Sequence, residues 1–134
     1  RQRRSLWLSS SHFDPHGDQV RALQTKFRRL IADKIAIMAT KIDAARLLTH
    51  RAISLVQAGT RAETECSMAK WYATEMAIEA TRDALQIHGG NGVTREFIVE
   101  RLVREAIICP IPDGTTEIQK LVVSRALTGI QAFR

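Results

Sequence analysis

One apolar stripe limits what this chain can fold into more than any other feature. Ile31, Ile35, Met38, Ile42, Ala45, Leu48, Ala52 and Val56 recur at spacings of three and four. A helix turns once every 3.6 residues, so these side chains share one face through about seven turns. A half-buried strand needs alternation at every second residue, and this stripe does not follow that period.

The rest of the chain repeats the theme. The helical pattern starts near Gln19, which predicts a first helix over residues 19–57 with Gly59 as its stop. Thr60-Arg61-Ala62-Glu63 reads as a capping box, in which a hydroxyl and a carboxylate satisfy the orphan amides of a new helix. That second helix is predicted over 61–87, with Met68, Tyr72, Met76, Ala80 and Ile87 on its buried side. Gly89-Gly90-Asn91-Gly92 ends it. A shorter helix fits residues 98–108 and stops before Pro110 and Pro112. The last begins at Thr115 or Thr116, where Thr116-Glu117-Ile118-Gln119 is a second capping pattern, and runs on through Leu121, Val122, Arg125 and Ala126. Residues 1–18 carry loop chemistry, with Ser9-Ser10-Ser11, Asp14-Pro15 and His16-Gly17. The expectation is all-α: an antiparallel four-helix bundle over 19–134 behind an irregular basic segment, 1–18.

Composition removes several function classes. With 134 residues, 45% hydrophobic and 25% charged, the chain suits one globular domain. No apolar run approaches the roughly 18 residues that span a bilayer. Cys66 and Cys109 lie far apart and read as buried free thiols of a reducing compartment. The four histidines form no ligand pattern, so no metal is expected. Net charge is +6, but residues 1–34 hold eight Lys/Arg against three acids, and the remainder twelve against eleven. A basic segment of this kind suits a solvated face, a polyanionic cofactor, an acyl-CoA or nucleic acid. The last is the weakest reading, since no recognition helix or aromatic-interleaved motif accompanies the charge.

The second half holds an unusual loop, Gln86-Ile87-His88-Gly89-Gly90-Asn91-Gly92-Val93. Alone it is a plain helix stop. It is preceded by Ala69-Lys70-Trp71-Tyr72-Ala73-Thr74-Glu75 and followed by Val99-Glu100-Arg101-Leu102 and Asp113-Gly114-Thr115-Thr116-Glu117-Ile118-Gln119. With Lys41-Ile42-Asp43-Ala44-Ala45-Arg46-Leu47-Leu48, this ordered set resembles the carboxy-terminal helical domain of the acyl-CoA dehydrogenases over residues 27–128. The resemblance implies a subunit with two further domains, one helical and one β. They do not fit in this length beside the bundle, so the chain is expected to be inactive alone. It also implies FAD, an acyl-CoA substrate oxidised to the 2-enoyl thioester, an electron-transferring flavoprotein as acceptor, and a homo-oligomer built through this domain. The compartment implied is cytoplasm or mitochondrial matrix. A second function class stays open: a non-catalytic assembly module or partner subunit derived from the family.

The resemblance also carries residue roles. The family's catalytic Glu, where it lies in this domain, precedes Gly-Thr; here Asp113 holds that position. A base there must face the acyl α-carbon while flavin accepts hydride from the β-carbon. Asp is one methylene shorter, a deficit of roughly 1.5 Å. Three readings compete: Asp113 is a base in a re-shaped site, Asp113 is only a helix N-cap, or the base lies upstream, outside this chain. Pro112 stands where the family usually has an aromatic residue. Thr115 matches a flavin-side hydrogen-bonding position. Gln86, Gly89 and Gly90 match the loop that touches the adenosine diphosphate part of FAD on a neighbouring subunit. His88 reads as a satisfied loop histidine, Glu117 as structural, and Glu100 and Arg104 as an i, i+4 ion pair. The family's Arg-x-x-Phe-Gly is absent: Phe27-Arg28-Arg29-Leu30 occurs instead, and no flavin role passes to Arg28 or Arg29.

Overall fold

The computed structural model describes residues 15–131. Four helices follow in order: α1 (Pro15–Gln57), α2 (Glu63–His88), α3 (Val99–Ile108) and α4 (Thr116–Thr128), with a 3-10 segment at Gly89–Val93. Among the described residues there is no strand. The chain divides into two units, residues 1–32 and 33–134.

In the first unit the described residues are helical from Pro15. This corrects the expectation of loop through residue 18. Proline suits a first helical turn because its missing N–H would have no intrahelical partner there, and Asp18 complements the positive end of the helix dipole. The loop reading of residues 1–14 lies outside the described residues. Val20, Leu23, Phe27 and Leu30 are all exposed.

The second unit is organised around α2. Three ion pairs tie it to α1: Lys34 to Asp83, Lys41 to Glu79, and Arg51 to Glu65. The numbers rise along α1 as they fall along α2, so the helices are antiparallel. Helices α3 and α4 also pack on α2. Met68, Tyr72, Met76, Ala80 and Ile87 of this central helix are half-buried. On α1 the middle of the stripe is covered, with Ala45 and Ala52 each 5% exposed, while Ile35 and Val56 near its ends are open.

Glycine ends α1 as expected. Gly59 is left-handed (φ 77°), its N–H donates to the Val56 carbonyl, and the Thr60 N–H reaches Leu55. This pair of bonds is a Schellman motif, which satisfies carbonyls the helix leaves open. The capping-box reading of residues 60–63 is corrected. The Thr60 N–H closes α1, and α2 opens two residues later on the buried Ala62, with no side-chain cap. Glu63 and Glu65 in the first turn supply the negative charge that this helix end favours.

Candidate functional site

The turn between α3 and α4 is built from both sides. Pro110 and Pro112 prevent α3 from continuing, and the Ile111 N–H closes back on Ile108 at 3.0 Å. Asp113 then takes a left-handed backbone (φ 56°), and it is the only non-glycine with positive φ among the described residues. Gly114 follows at φ 91°, a region open to glycine at little steric cost. A Cβ at Gly114 would lie 2.7 Å from the Gln119 amide nitrogen. That nitrogen donates to the carbonyls of Asp113 (3.0 Å) and Gly114 (3.2 Å). From α2, the Lys70 ammonium donates to Pro110 (3.1 Å) and Gly114 (2.7 Å). Glu75 accepts from the hydroxyl of buried Thr116 at 2.7 Å.

The N-cap of α4 is Thr115, whose hydroxyl accepts a long bond, 3.5 Å, from the Ile118 N–H. Two expectations change. Asp113 is not the cap, because it stands two residues too early with left-handed φ. Thr116-Glu117-Ile118-Gln119 is not a capping box, because Thr116 is already helical and Gln119 serves the turn instead of the cap amide. Asp113 itself is exposed, and Thr115, two residues on, is half-buried.

The second candidate group stands at the far end of α2. Gln86, Gly89 and Gly90 are exposed, and a Cβ at either glycine would meet nothing within 4 Å. They suit a group that needs close backbone approach. Gly92 differs: it is buried, and a Cβ there would lie 2.8 Å from the Leu85 carbonyl oxygen. It is the packing glycine of this loop, and the sequence reading gave it no role. His88 bonds the Ala84 carbonyl at 2.8 Å and meets Phe97 edge-on at 6.0 Å, so it is held structurally. Eighteen residues of α2 lie between Lys70 and Gly89, a separation of about 28 Å at the helical rise. The two candidate groups therefore do not converge on one pocket within this chain.

Other side chains take local roles. Arg104 grips Glu100 in a fork, at 2.9 and 3.1 Å, and this bond holds the Glu100 carboxyl below its ordinary range. Lys41 is raised by its bond to Glu79. Trp71 and Tyr72 line an apolar cleft of about 460 Å³ with Leu48, Met68, Met76 and Val123, and Lys120 stands 5.2 Å over the Trp71 ring. Cys66 and Cys109 are free and exposed, which corrects the expectation of buried thiols. Cys66 lies in the first turn of α2 on an open groove, and Cys109 stands just past the end of α3. Among the described residues no group of three His, Cys, Asp or Glu could hold a metal, and no helix is long and apolar enough to cross a membrane.

Residues 23–128 match the family described as acyl-CoA dehydrogenase, C-terminal domain. The chain belongs to the acyl-CoA dehydrogenase family. It is similar to the caffeyl-CoA reductase–Etf complex subunit CarC of Acetobacterium woodii, at 45% identity over 72% of this chain and 26% of the relative. The crystal structure of an acyl-CoA dehydrogenase from Geobacillus kaustophilus superposes with a TM-score of 0.72 at 37% identity, covering 75% of this chain and 26% of that one. An FAD complex of PigA superposes equally well, TM-score 0.72 at 29% identity, over 74% of this chain and 26% of that one. The chain thus spans about a quarter of the length of the curated relatives it matches. Within this acyl-CoA dehydrogenase domain, sequence reasoning missed Lys70, Glu75, Gln119 and Gly92. Lys70 left one signal, a cation set between Ala69 and Trp71 on a helix whose neighbouring residues are partly covered.

Proposed function

We propose that this domain works in an FAD-dependent acyl-CoA dehydrogenase, with Asp113 as the base that takes the α-proton of an acyl-CoA thioester. The observation that carries the reading is the Asp113 turn. An exposed carboxylate sits on a left-handed residue, directly before Gly114 and the Thr115 cap, in a frame fixed by α2 and α4. A base acts only if its aim is fixed, and a frame of this kind fixes it. Bound FAD would supply the hydride acceptor for the β-carbon. Gln86, Gly89 and Gly90 would hold the cofactor's adenosine diphosphate end by side-chain amide and open backbone, and Thr115 would hydrogen-bond on the flavin side. The separation of these two groups along α2 fits a cofactor reached from more than one subunit, and so a homo-oligomer. An electron-transferring flavoprotein is the proposed electron acceptor; the Acetobacterium relative, a subunit of a caffeyl-CoA reductase–Etf complex, supports such a flavoprotein as the partner. These 134 residues span about a quarter of the length of the curated relatives, so on this reading the chain alone should dehydrogenate no acyl-CoA.

The test is Asp113→Asn in the complete gene product loaded with FAD. Loss of α-proton exchange and of flavin bleaching by acyl-CoA, with FAD still bound, is the expected result. Undiminished bleaching would move the base to another residue. A second reading, an assembly module without chemistry, is favoured by the open apolar side chains Leu47, Ile53 and Val56 on α1. It predicts no bleaching in the unsubstituted protein either.

A further inference from the structure

Lys70 is used unlike the other lysines whose contacts define the body of this domain. Lys34 and Lys41 each meet a carboxylate, and Lys120 lies over Trp71. The Lys70 ammonium instead reaches forty residues along the chain to two neutral carbonyls, those of Pro110 and Gly114. An ammonium has three donors and no acceptor, so it can serve several carbonyls at once, and charge strengthens each bond. The two carbonyls bracket Asp113, one three residues before it and one directly after. Gln119 takes the carbonyl of Asp113 itself and shares that of Gly114. Three carbonyls of a turn that belongs to neither helix are thus turned toward donors on α2 and α4.

We propose that Lys70 is the positioning residue of the Asp113 turn, with Gln119 as its second anchor. By fixing the carbonyls on both sides, Lys70 sets the left-handed backbone at Asp113 and Gly114. That backbone sets the direction in which the Asp113 carboxylate leaves the chain. An aspartate depends on such a device more than a glutamate does. Its carboxylate is one bond nearer the backbone, so it has fewer torsions with which to correct a rotated turn. The proposal rests on the reading of Asp113 as base.

The experiment compares Lys70→Met, Lys70→Arg, Gln119→Met and Asp113→Asn in the complete gene product loaded with FAD. Hydrogen exchange of the peptide spanning residues 109–116 reads the turn, and kcat and KM for acyl-CoA read its consequence. Lys70→Met should speed exchange in that peptide about tenfold, the scale of one lost charge-assisted bond. Turnover should fall about a hundredfold with KM and FAD content little changed, as misplacement of a base predicts. Lys70→Arg should restore part of both. Gln119→Met should move both in the same direction by less, and it carries the test if Lys70→Met does not fold. Unchanged exchange in both Met variants overturns the proposal. Faster exchange with unchanged kcat in the FAD-loaded fraction, while Asp113→Asn is inactive, overturns it too and leaves Lys70 a purely structural role. If Asp113→Asn keeps its turnover, the base reading fails by itself, and the hold of Lys70 on the turn is decided by exchange alone.

Discussion

Asp113 combines the proposed base position with an uncommon backbone, φ 56°. Left-handed φ costs most L-residues about 1–2 kcal/mol, while Asp and Asn adopt it more readily. Asp113→Asn should therefore leave stability within about 0.5 kcal/mol of the parent, even as it removes the proposed proton acceptor. Asp113→Glu restores the family's residue and its reach but places a longer side chain at φ 56°. It should retain or raise activity and lower stability by about 1 kcal/mol, measured as a shift in the urea midpoint at constant slope. The 86–92 loop gives a second contrast. Gly92→Ala should cost about 1–3 kcal/mol, because its methyl would press on the Leu85 backbone, whereas Gly90→Ala should be silent for stability and felt only in FAD affinity. Urea unfolding and FAD titration of the two variants separate these effects. The position of Asp113 was legible because the residues that define it are contiguous. Lys70 was not, because its partners lie forty residues away and nothing local to Ala69-Lys70-Trp71 names a carbonyl acceptor. Gly92 was hidden for a related reason: all the glycines of one loop look alike until a neighbour's backbone is placed beside one of them.

At the scale of elements, the helices were legible where glycine, proline or a long period marked them. Gly59, the prolines at 110 and 112, and the α1 stripe each gave a boundary or a face that the structure keeps. The capping boxes were misread, because a Thr-x-x-Glu or Thr-x-x-Gln pattern does not say at which residue a helix opens. The Thr60 amide completes the end of α1 and α2 opens at Ala62, so Thr60→Ala should change stability by less than about 0.5 kcal/mol. Gly59→Ala should cost about 1–2 kcal/mol, since alanine would take the left-handed position. Thermal unfolding of the pair checks the reassigned boundary. On α3, Glu100 gives a pH signature. The Arg104 fork holds the Glu100 carboxyl below the ordinary value of a free glutamate. A depressed carboxyl stabilises the fold fully above that value, and the contribution is lost as pH falls through the lowered one. Glu100→Gln should therefore be slightly less stable than the parent at neutral pH. The two should converge in acid, and a gap that widens on acidification would contradict the assignment.

For the whole molecule, belonging to a family does not make this chain self-sufficient. Its buried hydrophobic residues among those described are Ala45, Ala52, Ala62, Ala69, Val99, Ala106 and Val123, and no large side chain is fully buried. Alanine burial removes little area from water, while stability of a domain this size depends on burying leucine-sized groups. Meanwhile Leu47 is 66% exposed, Ile53 46% and Val56 55%. The sequence could not show this, because its periodicity says which face of α1 is apolar and is silent on what covers it. Ile53 and Val56 line an open groove of about 490 Å³ with Ala52, Ala69 and Ala73, between α1 and α2. Apolar surface left open in this way favours association. In sedimentation at tens of micromolar, about the range in which weak pairs form, the chain should self-associate with a concentration-dependent mass. Ile53→Lys should weaken that association by placing a charge in the groove, and far-UV circular dichroism should remain helical because position 53 is already open to solvent. A strict monomer in the parent chain would show that this surface is not covered by copies of itself. Equal association of parent and variant would place the contact elsewhere on the domain.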